Sequence, residues 1–82
     1  MELKKTLSLE NPEQYIDKMV WCSQRFLRYG DNYTKLKIRR VQILSFNEKV
    51  KLFEVLLDNK QKEYAEARNL SENIDDLIIT VT

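Results

Sequence analysis

Six basic side chains crowd one short stretch of the chain: Arg25, Arg28, Lys35, Lys37, Arg39 and Arg40, opposed by a single acid, Asp31. Tyr29 and Tyr33 are interleaved among them. Cations contact phosphates or carboxylates, and rings between them offer stacking surfaces, so the pattern suits nucleic acid or an acidic protein segment. Trp21 stands just before it. If residues 12–29 form a helix, a 100° wheel puts Tyr15, Ile16, Met19, Val20, Cys22, Phe26 and Leu27 on one half. Trp21 then falls among Asp17, Lys18, Arg25 and Arg28, where a guanidinium can stack on its ring. Trp21 is then either covered by the terminal strands or the second helix as a smaller core, or a contact residue; since Trp, Tyr and Arg dominate contact energetics, the candidate partner-binding set is Trp21, Arg25, Arg28, Tyr29, Tyr33, Lys37, Arg39 and Arg40.

Catalytic chemistry finds no comparable set. The chain has no His and one Cys, which leaves no imidazole base, no Cys/His zinc site and no disulfide within the chain. Asp75 and Asp76 are adjacent, so on a strand they point to opposite faces. Glu63 and Glu66 share a helix face, but Lys62 and Arg68 beside them make ordinary surface ion pairs the expectation. Cys22 has no evident partner to activate it and reads as a small apolar core residue. The expectation is a protein that is not an enzyme, with no cofactor and no metal.

A chain of 82 residues is one small domain, residues 1–82, and buries only about 60 to 65% of the surface its unfolded form exposes. Without disulfide or metal, the remaining source of stability is a partner or a second copy, so a homo-oligomer is expected. Net charge is +1, with 33% charged and 43% apolar residues, a globular balance. That near-neutrality makes nucleic acid the runner-up partner and protein the first. From Glu63 onward, Glu63, Glu66, Glu72, Asp75 and Asp76 face one Arg68, so an acidic end complements the basic stretch. No apolar run reaches signal-peptide or membrane-span length, and a lone Cys suits a reducing compartment, so a cytoplasmic protein without a membrane role is expected.

The elements that would position these residues read as an α+β, mainly helical fold. In "ENPEQY", Asn11 can cap, Pro12 suits the first helical position and Gly30 can close the helix in the left-handed conformation, giving a first helix over residues 12–29. Ser45 and Glu48 have capping-box spacing, and Phe46, Val50, Phe53, Leu57 and Tyr64 recur at steps of three, four and seven, giving a long helix over residues 46–69. Between them, "NYTKLKIRRVQIL" reads as helix or strand: Leu36 and Ile38 alternate, the phase slips at Arg39 and Arg40, and good helix formers favour a second helix over 33–44. "ELKKTLSL" and "LIITVT" are β-prone, so residues 2–9 and 76–82 are expected to pair as an antiparallel ribbon. The strand "KKTLSL" followed by two helices resembles ribbon-helix-helix repressors in element order; Lys5 falls on the apolar side of such a ribbon, and a third long helix has no counterpart there.

The function these features favour is that of a small non-catalytic adaptor, regulator or inhibitor acting by protein contact, a style that suits an accessory protein of a phage or other mobile element. The alternative is a nucleic-acid-binding regulator using Arg25 to Arg40.

Overall fold

The computed structural model describes residues 5–30 and 38–78. It is a five-stranded antiparallel sheet of β1 (Met19–Cys22), β2 (Arg39–Asn47), β3 (Leu52–Leu56), β4 (Lys62–Glu66) and β5 (Leu70–Ser71), in the order β4-β3-β2-β1-β5. Helical backbone among the described residues is confined to 3-10 turns at Pro12–Tyr15, Leu27–Tyr29, Ala67–Asn69 and Ile74–Asp76. The mainly helical α+β expectation, and the description of a small helical protein with it, is overturned.

Each misread helix has a local reason. The first begins where expected, with Pro12 in the opening turn, but lasts four residues. Asp17, at φ 68°, then swings the chain into β1. Gly30 does take the left-handed conformation (φ 94°), closing only the turn Leu27–Tyr29. Trp21 looked misplaced on a wheel because the true period is two: Val20 and Cys22 are buried on one face and Trp21 lies on the other. The long helix expected over 46–69 is instead the end of β2 with all of β3 and β4. Its two turns use no Gly or Pro. Asn47 Oδ1 accepts the Lys49 N–H and Asn59 Oδ1 accepts the Gln61 N–H, each at 2.9 Å, while Lys51 (φ 58°) and Lys60 (φ 70°) supply the left-handed positions. Ser45 is not a helix cap; its hydroxyl lies 3.3 Å from a Glu54 carboxylate oxygen across the β2–β3 pair.

The stretch expected as a second helix is strand from Arg39 onward, and residues 31–37 lie outside the described residues. Residues 5–9 and 76–78 form no strand, and the remainder of the expected terminal ribbon also lies outside the described residues. The N-terminal segment runs beside β5: the Leu7 N–H donates to Leu70 O at 3.0 Å, and Ser71 Oγ donates to Lys5 O at 2.7 Å. The described residues hold only 3-10 turns where the two helices of a ribbon-helix-helix order would stand, so that order is not seen among them.

One face of the sheet carries the core, with Val20, Cys22, Val41, Ile43, Phe53, Val55, Ala65 and Leu70 all at 0% exposure. Alternation sustains it along β1, β3 and β4, while in β2 a register shift between Ile43 and Ser45 returns Phe46 to the inner side. The N-terminal half covers this face with Leu7, Tyr15 and Phe26. Tyr15 meets Phe53 edge-on at 6.0 Å and Phe46 tilts against the same ring at 4.8 Å.

The sheet must also be curled. In a flat sheet of this order β4 and β5 would lie four strand spacings apart, roughly 19 Å. The chain from Glu66 to Leu70 spans at most about 14 Å. The resulting seam is stitched by Gln24, whose Nε2 donates to Tyr64 O at 2.9 Å and whose Oε1 accepts the Glu66 N–H at 3.0 Å. Beside it the Ser23 N–H donates to Asn69 O at 2.8 Å. Gln24 thus satisfies backbone groups that the edge of β4 would otherwise present to another strand.

Candidate functional site

The curl leaves the other side of each strand as the outer surface. Direct cross-strand pairing aligns Trp21 with Arg40, Met19 with Gln42, Gln42 with Leu56 and Leu56 with Lys62, so these side chains share the outer face. Met19 is 47% exposed and Tyr64, farther along the same face, is also 47% exposed. Trp21, Gln42 and Leu56 are half-buried. The Arg40 guanidinium lies 5.1 Å from the centre of the Trp21 ring, a cation–π arrangement. Next to this pair a shallow groove of about 270 Å³ is lined by Met19, Arg40, Gln42, Leu56, Asp58 and Lys60.

The residues singled out from the sequence divide into two groups. Trp21 and Arg40 meet on the outer face. Arg28, Tyr29 and Arg39 gather on the core side, where the Arg39 guanidinium lies 4.2 Å over the Tyr29 ring. Tyr29 donates its hydroxyl hydrogen bond to Asp58, and Arg28 pairs with the buried Glu63, whose other oxygen accepts from Gln61 Nε2 at 2.8 Å. These contacts clasp the turn Leu27–Tyr29 to the β3–β4 hairpin. The bond to Asp58 is the main cause that holds the Tyr29 phenol above its ordinary pKa; desolvation and the Asp58 charge add to it, and Arg39 opposes it. Arg25 is half-buried between β1 and this turn. Tyr33 and Lys37 lie outside the described residues. The acidic residues Asp75 and Asp76 are in the last 3-10 turn, and Asp76 lines a different depression with Lys5 and Tyr15.

Met19, Gln42, Leu56, Asp58 and Lys60 escaped the sequence reading. The signal that finds them is period-two alternation, since each of the first three is one step from a fully buried neighbour: Val20, Val41 or Ile43, and Val55. Cys22 is fully buried, as a small core residue would be. Among the described residues no group of three or more Cys, Asp or Glu side chains is placed to hold a metal ion, and no helix is long and apolar enough to cross a membrane. Compared with known proteins, the chain matches no family model, no curated protein and no solved structure.

Proposed function

We propose that this protein is a non-catalytic adaptor, regulator or inhibitor that acts by protein–protein contact through the outer face of its sheet, in the cytoplasm. The observation that carries the reading is the set Met19, Trp21 and Leu56, apolar side chains held in register on the outer face, where Met19 is 47% exposed and Arg40 lies over the Trp21 ring. Antiparallel sheets normally give their solvent face to polar residues, so large apolar and aromatic groups there mark a contact surface. A single Cys in the sequence, too few for a disulfide within the chain, suits a reducing compartment.

The nucleic-acid alternative needs the basic residues on one surface. Arg28 and Arg39 are instead engaged with Glu63 and Tyr29 on the core side, while Arg40 points outward. The experiment is capture of a partner from source cells with and without nuclease, comparing the wild type with Met19→Glu. Nuclease-resistant capture lost in Met19→Glu supports the contact face. Capture that nuclease abolishes replaces it with the nucleic-acid reading, and sedimentation of the purified protein detects the case in which the partner is a second copy.

A further inference from the structure

We infer that the groove beside Trp21 takes a short protein segment combining apolar side chains with carboxylates. The inference rests on the contact face proposed above and adds the chemistry of its partner. At about 270 Å³ the groove lies below the roughly 300 to 1,000 Å³ typical of cofactor and small-molecule sites, a size for one or two side chains. Its floor is apolar, from Met19 and Leu56, and its rim is cationic, from Arg40 and Lys60 with Lys62 directly across from Leu56. Asp58 is the acid among its described lining residues, and the Tyr29 hydroxyl already occupies that carboxylate as a donor. One oxygen of that carboxylate is occupied by Tyr29, and Arg40, Lys60 and Lys62 set three cations against this one acid, so the rim keeps a positive balance that suits a carboxylate from outside. A base needs a ring to stack on, and none of the described residues lining the groove is aromatic, so the groove favours a peptide over a nucleotide.

The test uses the full chain, isotope-labelled, and a blocked hexapeptide alternating aspartate and leucine. Serine–leucine and lysine–leucine analogues and a short thymine oligodeoxynucleotide serve as comparisons. The expected result is that the aspartate–leucine peptide shifts the amide resonances of Met19, Arg40, Gln42 and Leu56. It should bind about tenfold more tightly than the serine analogue at low salt, an advantage lost in Arg40→Glu and in Lys60→Glu. Both substitutions are at exposed positions, and retained spectral dispersion shows that the fold survives. Equal binding of the serine analogue overturns the preference for acid and leaves the contact face standing. Binding of the oligonucleotide at these amides in place of the peptide overturns the inference in favour of phosphate. If no peptide binds, the inference falls, and the response of partner capture to Met19→Glu decides whether the contact face falls with it.

Discussion

Trp21 is half-buried, its ring met by Arg40 and paired across to β5 through Ser71. Trp21→Ala should cost roughly 1 to 2 kcal/mol, the sum of one cross-strand pair and one partly exposed cation–π contact. Phe53→Ala, at 0% exposure between Tyr15 and Phe46, should cost about 3 to 5 kcal/mol. Chemical denaturation of both variants checks the ranking; equal losses would make Trp21 a core residue and remove it from the contact face. Tyr29 gives a prediction in pH. Its folded pKa lies above the ordinary 10.0, chiefly because the neutral phenol donates to Asp58. The native state therefore holds this proton when the unfolded chain has begun to release it, so the contribution is complete below about pH 10 and lost as pH climbs through the folded value. The wild type should lose stability relative to Tyr29→Phe as pH rises from about 10 through the raised folded value. Phenolate absorbance, with Tyr29→Phe as the blank, should show the late-titrating group directly.

At the scale of elements, the turns decide what was legible. Lys51 holds φ 58° between β2 and β3 with a β-carbon that resists that conformation. Lys51→Gly should stabilise the protein by up to about 1 kcal/mol, since relief of the left-handed strain exceeds the entropy glycine adds to the unfolded chain. Lys51→Ala should bring no such gain, and thermal unfolding of the two variants makes the comparison. The same absence of Gly hid the hairpins. "NEKVK" and "DNKQ" turn through Asn side-chain acceptors and left-handed Lys, residues equally at home in a helix, so spacings among Phe46, Phe53, Leu57 and Tyr64 that come from three strands and the residue just past β3 imitate one helical stripe. The shift between Ile43 and Ser45 breaks the alternation that would have exposed β2. What could be read were the local signs: Pro12 opening a turn, Gly30 in a left-handed cap, and Cys22 as a core residue. Half of the candidate site was visible because Trp21 and Arg40 are conspicuous residue types. Met19 and Leu56 matter only through their face, which is unknown until the period is known.

At the scale of the whole molecule, local hairpins are closed by distant contacts, among them β1 with β5 and the seam at Gln24. β2, β3 and β4 pair with their sequence neighbours, whereas the bonds of Ser23 and Gln24 to Tyr64, Glu66 and Asn69 join residues 40 to 46 positions apart. Closing so long a loop has an entropic cost that must be met before the seam bonds form, while each hairpin closes only a short turn. The β2–β3–β4 meander should accordingly be structured in the folding transition state and the seam should zip afterwards. Gln24→Ala removes the side chain that links β4 to the end of β1 and should lower stability by about 1 to 2 kcal/mol, almost wholly as faster unfolding. Val55→Ala, in the centre of the meander at 0% exposure, should instead slow folding. Stopped-flow chevrons of the two variants separate these limbs. A Gln24→Ala effect confined to the folding limb would mean that the seam forms first and that the curled sheet is assembled from its ends inward.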